Sequence, residues 1–260
     1  STVTFTGNGA STQYVGGVGF QSDLTWLKKR SATQNHNLFD SIRGVTKGIK
    51  SNSDAAEETD STFFAAFNTD GFSLGSGGFG TSDEVVAWNW DMGGSNATNT
   101  DLNAAQAYAD YHEIWADTKP TASVFKMGSA GNINANNGTY VAYCFHSVTG
   151  YSKFSSYTGN ATSGLAVTTG FAPAFLMVKE ASASGENWYM FDNTREPSGD
   201  LDSALKADES VAETTSTAKA VEFTATGFKL KSTNSALNGN NATYIYMAFA
   251  DKREYAYWLD

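Results

Sequence analysis

Two acid–base pairs with identical spacing are the residues of this sequence best placed to do chemistry. Asp40 is followed three positions later by Arg43, and Asp192 by Arg195, and each pair comes directly after an apolar run that ends in phenylalanine. A β-turn brings residues i and i+3 together, so each carboxylate can pair with its guanidinium. The recurrence favours a turn-stabilising ion pair over a ligand-binding site. If it is exposed, such a pair contributes at most about 1 kcal/mol to stability.

Aromatic residues offer a second kind of site. Trp188 and Tyr189 lie just before the second acid–base pair, and they are candidates for exposed side chains that stack against a ligand. They complete a set of candidate ligand-binding residues whose other members are Asp40, Arg43, Asp192 and Arg195. Trp88 and Trp90 are two apart in a strand-like run, so they project from the same face of the strand. Packing in a core is the favoured interpretation for that pair.

The sequence lacks the residue patterns typical of enzymes. Glycoside hydrolysis needs two carboxylates about 5–5.5 Å apart for retention or about 6.5–9.5 Å apart for inversion, but Glu222 has no acidic partner at strand spacing. His112-Glu113 does not begin a zinc-protease helix, because Ala116 stands where the second histidine is required. Serine nucleophile elbows, phosphate-binding loops and Cys-x-x-Cys pairs are also absent from the sequence. We therefore predict no catalytic residue, no metal ligand set and no cofactor.

Composition and charge exclude several classes of partner. The net charge is −10 and the pI is about 4.7, whereas a surface that follows phosphates needs clustered Lys and Arg. The single basic cluster, Lys28–Arg30, is interpreted as a solvated strand end. Cys144 is the only cysteine, which rules out an internal disulfide. No stretch is long and apolar enough to cross a membrane, so neither nucleic-acid binding nor membrane insertion is expected.

The segments that must position these residues occur twice. Four ordered matches recur at a nearly constant offset, which is 152 residues at the first match and 156 at the last. Such a series indicates two copies of one folding unit. The matched segments are Phe5–Ala10 with Tyr157–Thr162, Gly19–Lys28 with Gly170–Lys179, Phe39–Arg43 with Phe191–Arg195, and Thr69–Leu74 with Ala225–Leu230.

The closing strand of the unit occurs three times. Glu84–Trp90 and Thr243–Phe249 close the first and second units, and Thr139–Phe145 has the same pattern. Leu102–Phe145 is therefore interpreted as the back half of a third unit whose front half is missing or shortened. The chain is an array, and arrays more often form surfaces than catalysts.

The fold class predicted from these patterns is all-β. Short runs that alternate apolar with polar residues, or are wholly apolar, are separated by clusters of Gly, Asn, Asp and Ser, which is typical of strands and turns. We expect two repeated antiparallel β-sandwich modules of jelly-roll or concanavalin-like type, with a short, partly helical middle segment. The predicted domains are a first module at 1–93, a linker and truncated repeat at 94–149, and a second module at 150–260. Within the middle segment, a helix is predicted over 101–117 and an extra strand over 139–145.

Six strands are predicted in each unit. The predicted strands of the first unit are Val3–Thr6, Leu24–Lys28, Asn37–Ser41, Phe63–Asn68, Gly71–Leu74 and Val85–Trp90. Those of the second are Phe154–Thr158, Phe175–Lys179, Trp188–Asp192, Ala220–Thr224, Phe228–Lys231 and Tyr244–Phe249. The Ala- and Glu-rich stretches Asp54–Thr59 and Ser203–Glu213, at equivalent points of the two units, predict short surface helices.

Several of these segments resemble a tandem domain of unknown function found in bacteriophage virion proteins, especially marine ones. The residues that carry the resemblance are Gly19–Lys28, Leu38–Gly44, Tyr140–Phe145 with Gly150–Phe154, and Tyr244–Ala250. The resemblance spans nearly the whole chain. In that family the units come in series in tail-fibre and other virion-surface polypeptides, often followed by lectin-like or SPRY-like domains. The family has no established catalytic residues that could be transferred to this sequence.

The resemblance implies a non-enzymatic protein of the virion surface, either a tail-fibre adhesion module or a decoration of the capsid or tail. The expected partners are other copies of the chain and other virion proteins, with a host-surface glycan as the candidate ligand. A secreted carbohydrate-active enzyme or lectin with a concanavalin-like sandwich is the alternative. A concave face with two acids at the spacing given above would favour the enzyme.

Overall fold

The computed structural model describes residues 1–91 and 124–251 of the chain. Strands dominate these residues, which confirms the all-β prediction. Two short α-helices occur in the described part, α1 (Gly131–Asn134) and α2 (Ser235–Asn238), with one 3-10 turn at Thr217–Lys219. The helix predicted over 101–117 lies outside the described residues.

Residues 1–91 of the first unit contain nine strands, including all six that the sequence predicts. They are β1 (Thr2–Thr6), β2 (Thr12–Val15), β3 (Leu24–Lys29), β4 (Asn37–Asp40), β5 (Lys47–Gly48), β6 (Glu58–Thr59), β7 (Phe64–Asn68), β8 (Gly71–Gly75) and β9 (Glu84–Trp90). The predicted helix at Asp54–Thr59 does not form. Part of that stretch is β6, which pairs with β5.

The second unit also contains nine strands, again including the six predicted. They are β10 (Ser152–Thr158), β11 (Leu165–Thr168), β12 (Phe175–Glu180), β13 (Tyr189–Asp192), β14 (Ser203–Lys206), β15 (Thr214–Thr215), β16 (Val221–Thr224), β17 (Gly227–Leu230) and β18 (Thr243–Phe249). The helix predicted at Ser203–Glu213 is wrong, because its first residues form β14 against β13. Helical composition is overridden here by pairing with an already formed sheet edge.

Both units connect their strands in the same order. The larger sheet of the first unit has the order β1-β9-β3-β4, and the β5–β6 pair adjoins β4 through a bridge between Leu38 and Ile49. The larger sheet of the second unit has the order β10-β18-β12-β13-β14-β15. The smaller sheets, β2-β8-β7 and β11-β17-β16, also correspond strand for strand. The tandem repeat found in the sequence is therefore a repeat of topology.

Each unit is a sandwich with its own core between a larger and a smaller sheet. In the first unit Leu27, Phe64, Phe72 and Val85 are fully enclosed, and they belong to one apolar cluster. In the second unit the corresponding cluster is larger and includes Ala236 and Leu237 of α2.

A third core joins the two units. Along β9, Val86, Trp88 and Trp90 alternate with Val85 and Ala87, which belong to the first unit's own core. The tryptophan face meets residues of the second unit, namely Phe175, Met177, Trp188, Met190, Leu205, Ala207 and Phe249. Both faces of the central strands are therefore covered. Trp88 and Trp90 are core residues as predicted, but the core that they occupy lies between the units.

The extra strand predicted over 139–145 does not form. Residues 139–145 have no ladder partner among the described residues, although Tyr143 and Phe145 pack against the shared core. A strand needs neighbours that supply backbone donors and acceptors, and the front half of this third copy would have supplied them.

Candidate functional site

Each Asp-x-x-Arg pair closes a turn at the end of a strand. Asp40 ends β4 and Asp192 ends β13. Oδ1 of each aspartate accepts the backbone N–H of the third residue on, at 2.8 Å in the first unit and 2.9 Å in the second. Oδ2 accepts Nε–H of Arg43 at 2.5 Å and of Arg195 at 2.6 Å. The predicted local ion pair is confirmed in both units.

A glutamate that the sequence analysis missed completes each pair. Nη1 of Arg43 donates to Glu57 at 3.1 Å, and Nη1 of Arg195 donates to Glu213 at 2.8 Å. We call Asp40, Arg43 and Glu57 the first ion cluster, and Asp192, Arg195 and Glu213 the second ion cluster. The two glutamates are 156 residues apart, which is the offset of the later sequence matches. This shared offset is the sequence signal that could have identified the two glutamates as equivalent.

The second ion cluster is buried beneath the first unit. The side chains of Asp192 and Arg195 have no exposed surface. Nε1–H of Trp88 donates to Oδ2 of Asp192 at 3.0 Å, and the Trp88 ring lies 5.9 Å from the guanidinium carbon of Arg195. Arg30 of the first unit binds both oxygens of Glu213 at 2.8 Å. Arg30 and Trp88 therefore tie the first unit to this cluster, and without the second unit Arg30 would lose its carboxylate partner.

Electrostatics in the second ion cluster favour the ionised state. Burial alone would raise the pKa of Glu213, but hydrogen bonds from Arg30 and Arg195 lower it below its ordinary value. The remaining guanidinium hydrogens donate to the carbonyls of Ser203 and Met190, each at 3.0 Å. Every charge in the cluster is thus met by an opposite charge or a hydrogen bond, as buried charges require.

The first ion cluster is covered by the middle segment. The Tyr143 hydroxyl donates to Oδ2 of Asp40 at 2.8 Å and accepts Nη2–H of Arg43 at 2.8 Å. Burial, and then the charge of Asp40, raises the pKa of Tyr143 well above its ordinary value, so the phenol stays a neutral donor. The Arg43 side chain keeps 12% of its surface exposed and Glu57 keeps 36%. This cluster is therefore less enclosed than the second.

Trp88 and Tyr143 occupy equivalent positions in two copies of the closing strand. Each covers the ion cluster of a different unit, Trp88 in the second unit and Tyr143 in the first. Two positions further on in each copy stand Trp90, Phe145 and Phe249. Their ring centroids form a triangle with sides of 5.8, 5.8 and 6.1 Å. The three copies of the closing strand therefore surround one point, and each contributes one aromatic ring.

The basic cluster at Lys28–Arg30 is part of the unit interface, so its interpretation as a solvated strand end is wrong. Lys28 is fully buried, and its Nζ donates to the carbonyls of Lys29, Gln34 and Ser210 at 2.9, 3.0 and 3.2 Å. Burial, and then the neighbouring Lys29 charge, lowers the pKa of Lys28 to about 8. Ser210 belongs to the second unit, so this ammonium also links the two.

His36 makes a further polar contact across the interface. Its Nδ1 accepts Nε1–H of Trp26 at 2.8 Å, which leaves the proton on Nε2 for the carbonyl of Lys206 in the second unit at 2.9 Å. Burial, and then the charge of Lys28, lowers the pKa of His36 to about 3. The neutral ring is therefore the form that joins the units near neutral pH.

Trp188 and Tyr189 are not available for stacking against a ligand, so that prediction is wrong. Trp188 is 4% exposed and Tyr189 is 3% exposed. Tyr189 lies in the second unit's own core and Trp188 in the shared core. The reason is that β13 is an inner strand between β12 and β14, with a core on each face. The sequence shows the following turn but not what covers the strand's outer face.

The described residues contain no group of three His, Cys, Asp or Glu side chains that could hold a metal ion. In the same part of the chain, no helix is long and apolar enough to cross a membrane. Asp40, Arg43, Asp192 and Arg195 come together only within their own units, and their contacts are with protein groups. The arrangement is suited to joining units, and its chemistry is that of a buried ion-pair network.

Comparison with known proteins gives a family without an assigned function. No curated protein and no solved structure matches the chain. A family model described as "Domain of unknown function (DUF7483)" matches residues 1–103 and again residues 101–253. The two matches together cover nearly the whole chain and agree with the repeated strand order. The chain belongs to this DUF7483 family and carries two copies of its domain.

Proposed function

We propose that the chain is a non-enzymatic structural module of a bacteriophage virion surface, either a tail-fibre segment that adheres to the host or a decoration of the capsid or tail. The observation that carries the proposal is the burial of one copy of the repeated ion cluster in the interface between the units. Its second copy, the constellation best suited to ligand chemistry, lies buried between the units, and its charges are met by each other and by Arg30 of the first unit. The sequence resemblance to virion proteins supplies the viral context.

The unit interface supports a structural role. An apolar core, a buried ion cluster and several cross-unit hydrogen bonds join the described parts of the two units. An array of related modules can present the same weak contact several times, which raises avidity through effective concentration. The expected partners are other copies of the chain and other virion proteins.

A host-surface glycan is the proposed ligand in the adhesive case. Since Trp188 and Tyr189 are buried, another surface must provide the contact. A groove of about 360 Å³ beside the second Asp-x-x-Arg turn is lined in part by Asn193, Glu196 and Phe223. An amide, a carboxylate and a partly buried ring are groups that commonly bind sugar hydroxyls and the apolar face of a sugar. We propose this groove as the glycan-binding surface to be tested first.

The competing function is that of a secreted carbohydrate-active enzyme or lectin. An enzyme would need an acid and a second carboxylate on one concave face at a defined spacing. Glu222, the mid-strand acid, is instead held by Lys231 at 3.2 Å and Lys229 at 3.7 Å. Hydrogen bonding to Lys231, then the charges of both lysines, lowers the pKa of Glu222, which is the wrong direction for a general acid.

Three measurements test the proposed function. Quantitative mass spectrometry of purified particles should find the chain at a fixed copy number, and its absence from particles would remove the virion role. A glycan array with purified protein, run beside Asn193→Ala and Phe223→Ala variants, should locate sugar binding in the groove. Release of reducing ends from a polysaccharide, abolished by one Asp or Glu substitution, would establish the enzyme instead.

A further inference from the structure

The third copy of the closing strand is an unfinished strand. In the first unit β9 lies between β1 and β3, and in the second β18 lies between β10 and β12. The third copy, Thr139–Phe145, has no strand on either side among the described residues. Its backbone N–H and C=O groups are therefore free to pair, as at the edge of an open sheet.

Two side chains near the start of this copy are also more exposed than their equivalents. Tyr140 is 49% exposed and Val141 is 42% exposed, whereas Val85 and Val86 at the equivalent positions of β9 have no exposure. By contrast, Tyr143 and Phe145 are already in their equivalent places, on the first ion cluster and in the aromatic triangle. The segment is thus anchored by its later residues but lacks the strands and the facing sheet that would enclose the earlier ones.

The neighbouring unit also has an unmet donor at the corresponding place. Trp188 stands 152 residues after His36. Each immediately precedes the strand that ends in its unit's Asp-x-x-Arg turn, His36 before β4 and Trp188 before β13. Nε2–H of His36 donates to the carbonyl of Lys206 in the next unit, whereas the buried Nε1–H of Trp188 has no partner in the described part of the chain. A groove of about 370 Å³ lies there, lined in part by Trp188, Phe145 and Met247.

The segment between β9 and the third copy is shorter than the front half of a unit. In the first unit the strands that precede β8 and the closing strand β9 are β1 to β7, and they extend over residues 2–68. Only residues 91–123 separate β9 from the described middle segment. A second complete copy of the chain cannot supply them either, because its strands equivalent to β1 and β3 are already paired with its own β9 and β18.

We propose that Thr139–Phe145 is the acceptor strand of a split third unit, completed by strands of another polypeptide that has the front half of a unit of this family. The incoming strands would lie on both sides of the acceptor, as β1 and β3 flank β9, and they would cover Tyr140 and Val141. Strand addition of this kind gives affinity through backbone hydrogen bonds and specificity through alternate side chains. The inference does not depend on the virion role.

The structure also indicates the chemistry of the incoming turn. In the ring of three copies, Trp88 and Tyr143 each donate a hydrogen bond to an aspartate of the unit that they cover. The third equivalent residue is Met247, whose thioether has no hydrogen to donate. The partner is therefore expected to present an apolar turn to Met247 in place of Asp-x-x-Arg, and to place a backbone carbonyl near Nε1 of Trp188.

The test uses the intact chain and a synthetic peptide of residues 22–30, which contains β3 and four charged residues for solubility. We expect fluorescently labelled peptide to bind and to slow amide hydrogen exchange at residues 139–145 by at least about tenfold. The matched controls are a peptide with Trp26→Pro, which interrupts the ladder, and the protein variant Ala142→Pro, which removes one backbone N–H donor from residues 139–145. Ala142→Pro should unfold at the same temperature as the parent chain, since residues 139–145 form no ladder.

Four results would overturn the proposal. One is unchanged exchange at residues 139–145 with saturating peptide, and another is equal binding by the Ala142→Pro variant. The third is a dimer in sedimentation equilibrium that Ala142→Pro dissociates, because the segment would then pair with a second copy. Exchange that is already slow in the free chain would also show that the strand is not open.

Discussion

Replacing the two equivalent arginines with methionine should affect stability very differently. Arg195→Met removes the hydrogen bonds of a fully buried guanidinium to Asp192, Glu213 and two backbone carbonyls. Asp192 would then remain buried with only N–H donors around it. Breaking a buried pair by removing one partner typically costs about 3–5 kcal/mol. We expect a loss in this range, a large fraction of the about 5–15 kcal/mol typical of a folded protein.

Arg43→Met is the matched control. It removes the same local pair, but the Arg43 side chain is 12% exposed and the Tyr143 hydroxyl continues to donate to Asp40. Water can reach the remaining carboxylate, so the expected loss is about 1–2 kcal/mol. The comparison holds sequence spacing, turn geometry and substitution constant and varies only the covering of the cluster.

The assay is equilibrium unfolding in urea, followed by tryptophan fluorescence and by circular dichroism on the same samples. Coincident transitions would justify a two-state free energy. A Trp88→Phe variant, alone and combined with Arg195→Met, gives the coupling between the ring and the ion cluster. If the two arginine variants differ by less than about 0.5 kcal/mol, or if Arg195→Met costs below about 1.5 kcal/mol, the reasoning from burial is refuted.

Three further predictions concern single side chains. The pKa of His36 falls from 6.5 to about 3 on folding, so its contribution is complete above pH 6.5 and is lost as the pH falls towards 3. This costs about 2 kcal/mol between pH 7 and pH 5 by urea unfolding, and His36→Gln should remove that slope. Tyr143→Phe removes both hydrogen bonds to the first ion cluster and should speed proteolysis around Tyr143 with little change in global stability. Gly71→Ala places a Cβ 2.1 Å from the carbonyl oxygen of Val15 at φ +110°, and it should lower the free energy of unfolding by about 3 kcal/mol or more. Gly164→Ala, at φ +94° with nothing within 4 Å of the new Cβ, should lower it by about 1 kcal/mol.

Each of these predictions has a contrary outcome. A pH slope that persists in His36→Gln would assign the acid sensitivity to carboxylates. Unchanged cleavage in Tyr143→Phe would mean that the hydroxyl does not hold the middle segment. Equal losses for the two glycine variants would show that φ strain alone, without the contact to Val15, sets the cost.

Most of the strands could be predicted because each depends on a pattern of residues that are neighbours in the sequence. Alternating or continuous apolar runs bounded by Gly and Asn clusters identified six strands of each unit, and each of them has an equivalent in the other unit. The short strands β2, β5, β6, β11, β14 and β15 were missed or taken as helix. Two to four residues carry too little pattern, and these strands form only because a sheet edge is already present.

The shared core could not be predicted from one unit's pattern. Alternation along Glu84–Trp90 shows that the strand has two apolar faces, but it does not show what covers the outer face. For the same reason Trp188 was placed on the surface and Lys28 in solvent. Both belong to faces that are covered by the neighbouring unit, and the sequence contains no distance information between units.

The recurrence of Asp-x-x-Arg has two causes that the sequence alone does not separate. The turn itself is stabilised locally by the same hydrogen bonds in both units, so repetition would follow from the fold. The outer oxygen of each aspartate, however, also accepts a hydrogen bond from an aromatic residue of a different closing-strand copy. A change of Asp192 or Trp88 would therefore disturb a turn and an interface together. The donors differ, since one is an indole and the other a phenol. Trp88→Tyr should therefore retain the hydrogen bond to Asp192 while losing ring contact with Arg195. A double-mutant cycle with Arg195→Met would separate the contribution of the hydrogen bond from that of the ring contact.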